Sequence, residues 1–538
     1  MNNNNIRDAP WGVTFVEWIS SKYCIRTRRI DRLTWHRAGV LATTYLAYTC
    51  YHMTRKPISV VKNVLSQNCS GITPPPGIVN DSTWCDWAPF DRSDAPALLG
   101  LLDSAFLFSY AAAMFISGFV AERVNLRYFL AFGMIGTGIF TYLFGMAKTY
   151  DIHNLWYFTV VQTVSGIFQT SGWPGVVTVV GNWFGKSKRG LIFGIWNSHT
   201  SLGNILGTLI AAEYVETDWG LSFIVPGAIM GLFGLVIWLF LVAHPSDVGL
   251  VPPVACGYRR LDATHSSEDS SCYEDIGSGH REDQKITYRN IGRHQDAVFD
   301  VERTETTPIL SVNQSSSGSS ERAIGFWGAI GIPGVIEYSL SLFFAKLVSY
   351  TFLFWLPLYI ASSSKYSSKI SADVSTLFDV GGIIGAIVAG YLSDYSGMSA
   401  LTCAVMLGLA CPTLFIYDYI GSINLYVNVF LLLLTGLLVN GPYALITTAV
   451  SAELGTHPSL GDDSKALATV TAIIDGTGSI GAAVGPLLAG FVSSQGDPKT
   501  AWHNVYYMLI ISEVMALVLL SKLVYKELKQ YARMRRAF

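Results

Sequence analysis

Twelve stretches of this chain stay apolar for about 20 residues or more, the length a helix needs to cross the ~30 Å hydrocarbon core of a bilayer. They run roughly over 38–64, 97–120, 128–148, 155–181, 190–213, 221–243, 335–360, 373–394, 399–420, 425–450, 465–493 and 500–524. Backbone N–H and C=O groups in lipid must be paired within the segment, so stretches of this kind fold as helices. Composition agrees. Charged residues make up 14% of the chain, against ~25% in ordinary globular proteins, and hydrophobic residues make up 51%. Of the 74 Asp, Glu, Lys and Arg residues, 21 lie between His244 and Arg322, so the remainder is more apolar still. A formal net charge of −2 leaves no basic excess for nucleic acid. The first 37 residues are polar and basic, and no separate signal peptide is expected. The chain reads as an all-α membrane protein with twelve transmembrane helices.

Lys and Arg set the expected orientation. Lys22, Arg26, Arg28, Arg29, Arg32 and Arg37 precede span one, and Lys186, Lys188 and Arg189 lie between spans four and five. Lys522, Lys526, Lys529, Arg533, Arg535 and Arg536 follow span twelve, whereas the opposite loops carry acids such as Asp81, Asp86, Glu213 and Glu216. Both termini are therefore expected in the cytosol. The expected divisions are an amino-terminal arm (1–37), a six-helix half (38–243), a cytosolic linker (244–322), a second six-helix half (323–524) and a basic tail (525–538). The linker is rich in Ser, Gly and charge, cannot bury enough apolar area to offset chain entropy, and is expected to be disordered. The eight Cys form no CxxC and no Cys/His metal spacing, so neither a metal nor another cofactor is expected. Cys69 and Cys85 share the first non-cytosolic loop with sequons at Asn68 and Asn80. A disulfide between these Cys and sugar on either Asn are expected there, on an oxidising face.

The two halves repeat. After span two, Gly118 is followed four residues on by Glu122; after span eight, Gly390 is followed by Asp394. In span five Gly203 and Gly207 match Gly481 and Gly485 of span eleven, and the two offsets are 272 and 278. Glycines four apart let membrane helices approach closely. Two six-span halves with this turn motif resemble the major facilitator superfamily, whose transporters hold substrate at the midplane between halves and alternate access by rocking them.

A cation at the membrane centre costs about 2.5–3.5 kcal/mol even on a lenient scale, so intramembrane charges point to function. Span one carries Arg55 and Lys56 side by side, with Tyr48 and Tyr51 on the Arg55 face by helical spacing. A guanidinium fork and an ammonium suit a phosphoryl group. Lys62 is expected to snorkel to the headgroups. Lys346 in span seven is the expected pseudo-symmetric partner of Arg55. His199, near Trp196 in span five, is a candidate site residue or a packed histidine. Asp103, Glu337, Asp379 and Asp475 are further intramembrane acids, able to pair the cations or relay protons.

Tyr51-His52-Met53-Thr54-Arg55-Lys56-Pro57, Gly172-Trp173-Pro174, Gly181-Asn182-Trp183-Phe184-Gly185-Lys186, Trp196-Asn197-Ser198-His199-Thr200 and Asn440-Gly441-Pro442-Tyr443 resemble the sugar-phosphate exchangers of solute carrier family 37. More distantly the chain is similar to bacterial organophosphate:phosphate antiporters, in which an Arg-Lys pair matching Arg55 and Lys56 binds the phosphoryl group. It departs from them at Ser349, where they have a second arginine, and at Thr200, where they have His. The resemblance implies an antiporter, not an enzyme, that exchanges glucose 6-phosphate or a similar sugar phosphate for inorganic phosphate in the endoplasmic reticulum membrane. The resemblance implies Arg55 and Lys56 as site residues; with the residues read above, the candidate site is Arg55, Lys56, Lys346, His199, Tyr48, Tyr51, Trp196 and Asn440, with Asp379 and Asp475 as ion-pair or proton-relay groups. Two alternatives are a proton-coupled organic-anion symporter and a non-transporting receptor or scaffold in the same membrane.

Overall fold

The structure is a computed structural model that describes residues 9–22, 31–66, 86–92, 94–184, 195–250, 322–323, 325–364, 366–455, 464–495 and 498–537. Cys69, Cys85, Asn68, Asn80, Lys186, Lys188, Arg189 and residues 251–321 of the expected linker lie outside the described residues.

Nine helices among the described residues are long and apolar enough to cross a membrane. They are spans two (Ala95–Ala121), three (Leu126–Thr149), six (Leu221–Phe240), seven (Val335–Ser363), eight (Ser368–Ser396), nine (Ser399–Ile420), ten (from Leu425), eleven (Leu467–Ser493) and twelve (Pro498–Ala537). Asn125, Asn154, Ser367 and Asn424 start spans three, four, eight and ten by accepting a first-turn backbone N–H on the side chain. The other three apolar stretches are interrupted or cut short. In span one, Pro57 has no N–H to continue the ladder of Arg32–Arg55 and instead opens a second helix, Pro57–Leu65. Span four divides into Leu155–Gln169 and Gly172–Trp183 at Thr170 and Ser171. In span five the helix Ser198–Tyr214 is 17 residues long. Among the described residues the only β structure is a two-residue parallel bridge, Arg322–Ala323 with Ser464–Lys465.

Three boundaries depart from the sequence reading. The amino-terminal arm contains a helix, Trp11–Lys22, and the helix of span one already begins at Arg32. The stretch assigned to the linker starts with an ordered turn: Pro245–Val248 is capped reciprocally by His244 and Asp247 and closed by Gly249 at φ 72°. The tail is no separate segment through Ala537, because the helix of span twelve runs on without a break.

Span two packs along span eleven and span five along span eight, and the halves meet on these two seams. The repeated glycines do the same work in each half. A Cβ at Gly203 or Gly207 would strike the backbone carbonyls of Thr49 or Met53 in span one. One at Gly481 or Gly485 would strike those of Phe343 or Leu347 in span seven. Span five thus lies on span one as span eleven lies on span seven. Both seams carry polar locks at their ends. Lys369 Nζ donates to Glu213 at 2.8 Å and its backbone N–H to Glu216 at 3.3 Å. At the opposite end Glu122 accepts from the backbone N–H and the hydroxyl of Thr469, at 3.1 and 3.0 Å, where span eleven begins.

Candidate substrate site

Arg55 is the last residue of one helix and Lys56, still helical at φ −77° and ψ −33°, joins it to the next, so the two side chains point about 100° apart as neighbours on a helix do. Both are buried. Arg55 Nε donates to Gln169 Oε1 of span four at 2.6 Å and Nη1 to the Tyr350 hydroxyl of span seven at 2.9 Å. Its guanidinium lies 4.8 Å from the centre of the Tyr110 ring, and Nη2 has no hydrogen-bond partner. No carboxylate pairs with Arg55 among the described residues.

Lys56 goes the other way. Its Nζ donates to the Leu353 carbonyl at 3.1 Å and lies 3.8 Å from Asp379 of span eight. Asp379 also accepts from Asn204 Nδ2 at 2.8 Å, and Asn204 Oδ1 is 3.1 Å from His52 Nδ1. Lys346 pairs with Asp475 of span eleven at 2.5 Å and reaches the Ser479 hydroxyl at 3.3 Å. Tyr110 donates to the second oxygen of Asp475 at 3.2 Å, which links Lys346 to the Arg55 surroundings. Ser349 donates to Asn440 Oδ1 at 2.7 Å.

Beside these groups lies a polar cavity at the seam, lined among others by His52, Thr200, Asn204, Ser349, Asp379 and Asn440, and reached by the Arg55 network through Tyr350. It holds about 20 Å³, room for about one water molecule. The halves have to part before anything the size of a hexose could enter.

The structure therefore brings together Arg55, Lys56, Lys346, Asp379, Asp475 and Asn440, and sets other predicted site residues apart. Tyr51 donates to, or accepts from, Ser171 at 2.8 Å and packs on Gly172, between spans one and four. His199 sits edge-on to Trp196 at 4.4 Å and beside Tyr48 at 4.7 Å, within an aromatic cluster of the amino-terminal half. Trp196 donates to Thr44 there, at 3.4 Å. Tyr48 borders both groups, its ring 5.2 Å from that of His52. Lys62 overturns its expectation: it is fully buried, pairs with Asp103, donates to the Phe354 carbonyl at 3.2 Å and covers the Trp355 ring at 4.2 Å. The helix Pro57–Leu65 packs on span seven, which carries Lys62 inward and away from the headgroups. Sequence reasoning does not single out Tyr110, Gln169, Tyr350, His52 or Asn204. The available signal is a polar side chain in the middle of an apolar span.

The profile of the Major Facilitator Superfamily matches residues 46–459. The chain belongs to the Major Facilitator Superfamily. Among superfamily members, the Glucose-6-phosphate exchanger SLC37A2 of Xenopus tropicalis is 52% identical over 501 residues, covering 93% of this chain and 95% of that protein. The Homo sapiens protein of the same name is 53% identical over 93% of this chain and 94% of its own length. Glucose-6-phosphate exchanger SLC37A1 of Homo sapiens is 47% identical with the same coverage. A solved structure of a bacterial homolog of the human lysosomal transporter Spinster, in an inward-facing conformation, covers 91% of this chain and 98% of its own. Its TM-score is 0.56 at 15% identity, which places the superfamily fold over both halves.

For this superfamily member the charges gathered at the candidate site, among the described residues, are three cations, Arg55, Lys56 and Lys346, against two carboxylates, Asp379 and Asp475. Sequence alone leaves open whether the acids pair the cations; they do. A cluster of three bare cations is replaced by two ion pairs and one guanidinium held only by neutral groups.

Proposed function

We infer that this chain is an antiporter that exchanges glucose 6-phosphate, or a similar sugar phosphate, for inorganic phosphate by alternating access. The observation that carries the reading is Arg55: a buried guanidinium at the seam, bonded to spans four and seven, with no carboxylate to neutralise it among the described residues. The relatives' shared description as glucose-6-phosphate exchangers supports the substrate. A phosphate monoester, with about −1.5 to −2 charge near neutral pH, supplies what Arg55 lacks.

The contacts suggest how binding and rocking are linked. Lys56 and Asp379 belong to opposite halves, as do Arg55 and Tyr350. Parting the halves breaks both contacts and frees one guanidinium and one ammonium at the same time. A phosphoryl group then takes the place of Asp379 and Tyr350, and the halves can close over it. Lys346 and Asp475 lie in one half and stay paired through the motion. The sugar faces the polar side chains of Asn204, Ser349 and Asn440. Both substrates share the phosphoryl group, so either one completes the step.

The same reading places the chain in the endoplasmic reticulum membrane with both termini cytosolic, the Cys69–Cys85 disulfide and sugar on Asn68 or Asn80 on the lumenal face, and a cytosolic linker between the halves. Purified protein in phosphate-loaded vesicles tests the activity. Labelled glucose 6-phosphate enters only when phosphate is inside. Uptake driven by a pH gradient without internal phosphate contradicts exchange and favours proton symport.

A further inference from the structure

The helix Trp11–Lys22 has no role in the exchange site, yet it is built for a definite surface. Trp11, Phe15 and Trp18 recur at i, i+4 and i+7 and are 81%, 59% and 54% exposed, with the last two rings stacked. Trp35, at the start of span one, is also exposed. On its inner side the helix seats tightly on the end of span six: a Cβ at Gly12 would collide with the Phe240 ring and the Leu239 carbonyl. A docked helix that turns an aromatic stripe outward, at the level where spans one and six leave the bilayer, matches the amphipathic helices that lie in a membrane interface.

Between this helix and the two spans runs a groove of about 550 Å³, lined by apolar side chains that include Val13, Val16, Val40, Phe240 and Leu241. Gly39 forms part of its wall, and nothing lies within 4 Å of the place a Cβ would take. At the mouth Arg32 meets Glu17 at 3.1 Å, both half-exposed. Arg32 lines the groove, and the sequence from 22 to 37 holds six Lys and Arg against one Asp, a basic composition that suits negative headgroups.

We propose that this helix and groove bind an anionic phospholipid of the adjoining leaflet, one acyl chain in the groove and the phosphate at Arg32. The aromatic stripe lies along the same leaflet and holds the helix in place. Glu17 is displaced from Arg32 by the lipid phosphate, an exchange of one anion for another.

The full chain in detergent is titrated with phosphatidylserine and, separately, with phosphatidylcholine, and its unfolding midpoint is followed. A ligand that binds only the folded state raises that midpoint. The wild type gains stability with phosphatidylserine and much less with phosphatidylcholine. Gly39→Phe fills the groove from an open position, so it keeps the lipid-free midpoint and loses the phosphatidylserine response. Trp11→Ser/Phe15→Ser/Trp18→Ser changes exposed groups only and diminishes the response as well. An undiminished rise in both variants overturns the site, and equal rises with the two lipids in the wild type overturn its preference for negative charge.

Discussion

Lys346 and Asp475 show how a single residue is bound into this molecule. Removing one partner of a buried ion pair strands the other charge at a cost of roughly 3–5 kcal/mol. Lys346→Ala, which leaves Asp475 with the Tyr110 hydroxyl, is expected to lower the unfolding midpoint sharply. Lys346→Ala/Asp475→Asn removes both charges and recovers most of that loss, as read by thermal unfolding of purified protein. A double variant as unstable as the single one would show that the pair does not compensate itself. Cations inside a span are legible in the sequence because lipid makes them expensive, and this singles out Arg55, Lys56 and Lys346. Their neutral partners are not: Gln169, Tyr110 and Tyr350 carry little cost alone and take meaning only from the direction of the Arg55 side chain. Lys62 departs from its expected place for a related reason. Its distance from the end of span one says nothing about the inward course of the helix after Pro57.

Helices here are held by close backbone approach and by caps supplied from other helices. Gly481 touches the Phe343 carbonyl so closely that Gly481→Ala forces spans seven and eleven apart. The expected cost is about 1–3 kcal/mol, the range for overpacking. Gly408 in span nine has nothing within 4 Å of the place an added methyl would take, so Gly408→Ala is the tolerated control. Comparable midpoints for the two variants would refute the close approach. Span nine depends on a cap from span twelve, where Glu527 accepts the backbone N–H groups of Ala400 and Leu401, each at 2.9 Å. Glu527→Ala should therefore lower the unfolding midpoint by the equivalent of about 1 kcal/mol, the typical worth of a helix cap. An unchanged midpoint would remove Glu527 from that role. The glycine repeat is visible in sequence because its spacing recurs. The Glu527 cap is not, since it joins residues about 127 positions apart through a contact that only packing creates.

The whole molecule is a pair of halves joined along two seams, and the proposed exchange depends on their relative movement. The six-plus-six division can be read from apolar lengths and the repeat, whereas the contracted cavity cannot, because it depends on how two faces meet. Both halves belong to one compact unit that leaves out residues 255–320. Deleting 260–315 is expected to leave phosphate exchange in vesicles intact per molecule of folded protein; loss of exchange in well-folded deletion protein would give the linker a part in transport. In the proposed exchange Arg55 reads the phosphoryl group common to both substrates. An ammonium cannot copy the guanidinium fork, and losing one charge-assisted hydrogen bond to a desolvated anion costs about 1.5–3 kcal/mol, or about ten- to a hundredfold in affinity. The most direct measurement is labelled phosphate exchange by Arg55→Lys in phosphate-loaded vesicles, inhibited in turn by unlabelled phosphate and by glucose 6-phosphate at matched protein levels. The expected result is that most exchange is lost and that both inhibitors weaken together; wild-type exchange, or a defect confined to one substrate, would contradict it.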